Sequence, residues 1–117
     1  MNVAVIGLGY IGLPTAALIA SKGLNVVGVD TNQKIVDVIN EGKIHIIEPD
    51  LDILVHRVVM NENLHATIKI KKADVFLIAV PTPFKSNYVP DLSYIKSAAK
   101  SIASVLKKGN LVILEST

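Results

Sequence analysis

GLGYIGLPTAALIASKG, residues 7–23, follows the apolar run Val3 to Ile6 and leads into an alanine-rich segment with helical spacing that stops at Gly23. A strand that turns sharply into a helix accounts for this change of pattern. Gly7, Gly9 and Gly12 fall at the spacing G-x-G-x-x-G. The first glycine lets the chain turn off the strand, the second lets backbone approach a pyrophosphate with no Cβ in the way, and the third lets helix and strand pack closely. Pro14 lies in the first helical turn, where a missing N–H costs little. A phosphate at such a turn meets unpaired N–H groups at the positive end of a helix dipole. The motif on its own says little; its position between an apolar strand and a helix says more.

Outward from this turn, short apolar runs alternate with helical patterns. Val3 to Ile6, Val26 to Val29, Val75 to Val80 and Leu111 to Leu114 are almost wholly apolar and are expected to be central strands, covered on both faces. Ile11 to Lys22 reads as a helix ended by Gly23, and Ile35, Val38 and Ile39 mark a shorter one ended by Gly42. Asp50, after Pro49, is expected to cap a third helix with Leu51, Leu54, Val55, Val58 and Val59 as its buried stripe. Leu92, Ile95, Ala99, Ile102 and Leu106 mark a fourth, entered through Pro90-Asp91 and left through Gly109. LHATIKI, residues 64–70, alternates weakly as a short strand, and PTPFKSNYVP, residues 81–90, reads as a sizeable loop at a strand's carboxyl end. Alternating strands and helices with right-handed crossovers imply an α/β fold: a Rossmann-like, doubly wound parallel sheet of about five strands, which binds ligands beyond the carboxyl ends of its strands.

The composition narrows the function. With 117 residues one core is expected, and with 50% hydrophobic but only 4% aromatic residues that core is aliphatic. A formal charge of +2 offers no long-range field for nucleic acid or an anionic membrane, so neither is expected as a partner. The absence of cysteine excludes disulfides and thiolate metal sites and suits a reducing compartment. No apolar segment reaches the length of a membrane span and no leader-like start is seen, so a cytoplasmic location is expected.

The second strand ends in Asp30, close to the roughly 20-residue spacing at which a carboxylate accepts hydrogen bonds from an adenosine ribose. Its charge repels a 2′-phosphate, and Thr31, Asn32 and Gln33 bring no arginine to attract one, which favours NAD over NADP. The alternative is that Asp30 only caps the next helix.

Tyr10, Ile11, Leu13 and Thr15 are not required by any generic dinucleotide turn. GLGYIGLPTA resembles the start of the UDP-glucose/GDP-mannose dehydrogenase family, and GVDTNQKIVDVINEG, IHIIEPDL, AVPTPF and LKKGNLVILEST resemble later segments of it, in order along the whole chain. GKIHIIEPDL with AVPTPFK looks most like the members of that family acting on UDP-N-acetyl-D-mannosamine rather than on UDP-glucose. The resemblance implies that Tyr10 and Ile11 lie against the pyrophosphate and the nicotinamide-side ribose, that Asp30 holds the adenosine ribose, and that Thr82 and Thr117 contact NAD from the far side of the crevice. It also implies a UDP-sugar substrate, oxidised at C6 to a carboxylate with two NAD in succession through a cysteine thiohemiacetal and thioester. No cysteine is present and no lysine matches the catalytic motif, so no catalytic residue is assigned. The expectation is an NAD-binding fragment, residues 1–117, of a longer homodimeric enzyme, inactive alone, with the catalytic and UDP-sugar domains outside it. The alternatives are a dehydrogenase for UDP-glucose or another UDP-sugar, and a free-standing dinucleotide-sensing module.

The other conspicuous residues fit plainer roles. His45, His56 and His65 have no partners at ligand spacing, so no metal is expected. Glu48 suits a helix-entry turn, and Lys107 and Lys108 suit a helix C-terminus. Glu115 is left between the crevice and a lysine pair, and Phe84 and Tyr88 are left unassigned. A sheet ending on an uncovered strand is expected to favour self-association.

Overall fold

The computed structural model describes residues 1–83 and 89–115. Within them the chain runs β1 (Asn2–Ile6), α1 (Gly12–Ser21), β2 (Asn25–Val29), α2 (Gln33–Asn40), α3 (Leu51–Met60), β3 (Leu64–Thr67), β4 (Val75–Ile78), α4 (Ser93–Ala103) and β5 (Leu111–Leu114). The strands form one sheet in the order β3-β2-β1-β4-β5, with every pair parallel. The chain builds outward from β1 to β3, then returns to the other side of β1. The direction of winding therefore switches at β1, and in such a sheet the crevice opens above that point.

Because side chains alternate along a strand, the two faces have separate cores. Val3 and Val5 of β1 point toward α1, α2 and α3, where they meet Leu13, Ala16 and Ala17, Val36 and Ile39, and Val55 and Val58. Ala4 and Ile6 point the other way, with Phe76 and Ile78, against Ala98 and Ile102 of α4. Valine, isoleucine and leucine on both faces are what a parallel sheet between helices requires.

Four expectations are corrected. Leu111 to Leu114 do form a strand, but β5 lies at the sheet edge and all four side chains are 41–54% exposed, so it is not a covered central strand. Helix α4 buries Ala98 rather than Ala99 and ends at Ala103, which leaves Leu106 exposed and places Lys107 and Lys108 beyond the helix rather than on its last turn. Helix α3 is not capped by the side chain of Asp50; that residue enters the helix in the left-handed region, with φ 62°. A turn from Leu51 N–H to the Glu48 carbonyl carries the entry instead, at 3.2 Å. Strand β4 stops at Ile78, not Val80, although Ala79 N–H still donates to the Ile6 carbonyl at 2.8 Å.

The opposite edge, β3, is shielded by a side chain. The Asn40 carboxamide at the end of α2 donates to the Ala66 carbonyl at 2.9 Å and accepts from the Ala66 N–H at 2.8 Å. It thereby pairs one residue of the outer edge as a neighbouring strand would, which discourages strand addition there. Asn40→Ala is expected to lower stability by about 1 kcal/mol, read as a lower urea midpoint at unchanged slope. An unchanged midpoint would contradict this role.

Candidate functional site

Gly7 leaves β1 with φ +97°, and a Cβ there would lie 2.7 Å from the Ala79 carbonyl oxygen, so only glycine passes this point without strain. Five residues on, a Cβ at Gly12 would fall 1.6 Å from the Gly7 carbonyl oxygen, because α1 starts directly against the end of β1. Gly9 differs from both. Its Cβ would have nothing within 4 Å, so the fold itself does not demand glycine there. What glycine provides at that position is open backbone facing the cleft.

The turn is fastened by the residue between the first two glycines. Leu8 is fully buried, and its methyl groups fill the space that a Cβ on Gly28 of β2 would occupy, 2.8 and 2.9 Å away. Its backbone N–H donates to Asp30 Oδ2 at 3.0 Å. Neither Leu8 nor Gly28 was singled out in the sequence. A buried leucine inside a glycine motif and a glycine inside an apolar strand are the two signals that pair them.

After Leu8 the chain enters α1 through Ile11, and Leu13 N–H donates to the Gly9 carbonyl at 3.1 Å. The N–H groups of Tyr10, Ile11 and Gly12 have no hydrogen-bond acceptor among the described residues. They form the unpaired start of a helix, with the positive end of its dipole behind them.

These residues line a cleft of about 590 Å³ beyond the carboxyl ends of the strands. Gly7, Gly9, Tyr10, Ile11, Asp30 and Thr82 all border it. Tyr10 is 65% exposed at its rim, whereas Gly12 is buried and acts as packing. Thr117, Phe84 and Tyr88 lie outside the described residues. Glu115, one residue past β5, also lines the cleft, and it pairs with a threonine rather than a lysine: Thr15 Oγ1 of α1 donates to its Oε1 at 3.1 Å.

Asp30 is not the cap of α2. That role belongs to Asn32, whose side chain accepts from Lys34 N–H at 3.0 Å, while Asp30 Oδ1 accepts from Asn32 N–H at 2.9 Å. Each Asp30 oxygen thus holds one backbone amide and retains room for a further donor, since a carboxylate offers about four acceptor directions.

Among the described residues no lysine, arginine or histidine borders the cleft. Its polarity runs acceptor, donor, acceptor: Asp30 at one flank, free amides in the middle, Glu115 at the other. An extended ligand with hydroxyl or amide donors at both ends and an anionic centre fits this sequence of groups. The histidines stand apart. His65 lies on β3 by a separate cleft at the amino ends of β1 and β2, where burial, then Lys71, holds its proton affinity below the ordinary histidine value. No cluster of metal-ligating side chains occurs among the described residues. No helix among them is long and apolar enough to cross a membrane.

Comparison with known proteins agrees with this geometry. Residues 1–117 match the model of the UDP-glucose/GDP-mannose dehydrogenase family, NAD binding domain. The chain is 67% identical to the UDP-N-acetyl-D-mannosamine dehydrogenase of Campylobacter jejuni over 117 residues, covering 99% of this chain and 29% of that protein. It is 61% identical to the NDP-N-acetyl-D-galactosaminuronic acid dehydrogenase of Ralstonia nicotianae over 116 residues, covering 99% of this chain and 27% of the other. The solved UDP-N-acetyl-mannosamine dehydrogenase of Staphylococcus aureus superposes with a TM-score of 0.97 at 42% identity, covering 100% of this chain and 29% of that one. The chain thus spans less than a third of the length of the relatives it matches.

The three glycines separate under mutation. Gly12→Ala is expected to cost about 3 kcal/mol or more, because the new Cβ meets backbone. Gly9→Ala is expected to leave the melting temperature nearly unchanged while abolishing dinucleotide binding. Equal losses of stability at both positions, in a denaturation experiment, would contradict the geometry.

Proposed function

Because this chain belongs to the UDP-glucose/GDP-mannose dehydrogenase family and forms its NAD-binding domain, we propose that it is the cofactor-holding part of a nucleotide-sugar 6-dehydrogenase whose substrate is UDP-N-acetyl-D-mannosamine. The product is the corresponding uronate, formed in two successive oxidations that consume two NAD. The observation that carries the cofactor assignment is the cleft's polarity, with unpaired amides at 10–12 between the carboxylates of Asp30 and Glu115.

NAD, when bound, supplies the hydride acceptor. The residues of this chain bind and orient. The amides after Gly9 receive the diphosphate, and the bare Gly9 backbone lets it come close. Asp30 accepts from the adenosine ribose hydroxyls with the acceptor capacity left over from Leu8 and Asn32. Tyr10 and Ile11 wall the crevice, and Thr82 meets the cofactor from its far side. A lone negative side chain at the ribose, with Thr31, Asn32 and Gln33 beside it, disfavours a 2′-phosphate.

An aldehyde becomes a hydride donor only after a nucleophile makes its carbon tetrahedral, and the cysteine that does so in this family has no counterpart among these 117 residues. The catalytic and sugar-binding domains, the homodimer contact and a cytoplasmic setting belong to the longer enzyme in this reading, and this portion alone is inactive. The sugar rests on relatives: the N-acetylmannosamine enzyme stands at 67% identity and the N-acetylgalactosaminuronate enzyme at 61%. Both names carry an N-acetylated sugar, which favours that class over UDP-glucose.

NAD is expected to raise the melting temperature more than NADP does. Asp30→Ala is expected to remove that preference and also to lower the starting melting temperature, because the same carboxylate ties down Leu8. Equal responses of the unaltered protein to the two cofactors would contradict the ribose assignment.

A further inference from the structure

Glu115 has a buried oxygen with no partner among the described residues. Its backbone N–H extends the ladder to the Ile78 carbonyl at 2.8 Å, and its Oε1 is held by the Thr15 hydroxyl. Its Oε2 is buried and accepts no hydrogen bond among the described residues. Leaving a buried acceptor unmade is costly, so such an atom in a cleft calls for a donor from elsewhere.

The position of Glu115 says which donor. Val29, Ile6, Ile78 and Leu114 stand in one register row across β2, β1, β4 and β5. One residue further along, Asp30, Gly7, Ala79 and Glu115 form the next row. The two carboxylates therefore flank the start of α1 on the same side of the sheet, three strand spacings apart, about 14 Å. Asp30 stands on the β2 flank of the glycine turn and Glu115 on the β4–β5 flank. A dinucleotide whose adenosine ribose sits at Asp30 and whose diphosphate crosses the turn runs toward Glu115.

We propose that Glu115 is the second anchor of the dinucleotide, its Oε2 accepting a hydrogen bond from the half of the ligand beyond the diphosphate, either a ribose hydroxyl or the carboxamide N–H. Thr15 is the positioning residue that fixes the carboxylate by its other oxygen. This rests on the reading of the cleft as a dinucleotide site.

Calorimetric titration of the intact protein with ADP, ADP-ribose and NAD tests it. Glu115→Gln keeps the size of the side chain and an acceptor for Thr15, but puts an N–H2 where Oε2 was. It is expected to weaken NAD about tenfold and leave ADP unchanged. ADP-ribose follows NAD if the ribose is the donor and follows ADP if the carboxamide is. Thr15→Val, which releases the carboxylate without touching Oε2, is expected to give a smaller loss that again spares ADP; it carries the test if Glu115→Gln fails to fold. Equal weakening of ADP and NAD, or no weakening of either, overturns the proposal. An unaltered protein that binds none of the three ligands overturns the dinucleotide reading itself, which is a different result.

Discussion

Leu8 donates its amide to the Asp30 carboxylate while its side chain fills the hollow over Gly28, and the shape of the cleft follows from that double fastening. A loop of three glycines has few side chains to hold it and a large conformational entropy to lose. Anchoring the one residue between the first two glycines, by a hydrogen bond to β2 and by burial against it, fixes the loop on both sides of its turn. The amides that follow then face the crevice without an acceptor. They are unpaired because they begin α1, where no preceding helical turn supplies carbonyls.

One carboxylate thus fastens the turn and, in the proposed binding, serves the ligand as well. Asp30 holds two amides of its own chain and still faces the cleft. With no cationic side chain along the cleft among the described residues, an anion there is held by backbone dipoles, which are fixed in place and need no reorganisation. Two carboxylates beside a diphosphate repel it if they lie too near, and the row geometry sets them at the flanks, where neutral hydroxyls and amides belong. In the proposed binding mode, the Asp30 carboxylate disfavours a phosphate on the adenosine ribose.

Much of this was legible in the sequence: four strands as apolar runs, β3 as a weak alternation, and the turn that opens the crevice from the glycine spacing. Physical competition explains what was not legible. Apolar composition cannot tell a central strand from an edge strand, so β5 read as covered. The stripe of α4 is short and alanine-rich, and Ala98 and Ala99 are equal in pattern although only one faces Phe76 and Ile78. Asp50 has the right chemistry for a cap but a left-handed backbone, and its side chain makes no capping hydrogen bond. The Glu115 to Thr15 contact joins residues far apart in sequence, and no local pattern reports it.

A crystal structure of the intact protein with NAD tests the account most directly. The expected result is diphosphate oxygens about 2.7–3.2 Å from the amide nitrogens that follow Gly9, with an adenosine ribose hydroxyl on Asp30 and Leu8 unmoved. Cofactor bound away from the glycine turn, or a turn whose amides have found acceptors within the protein, would contradict it.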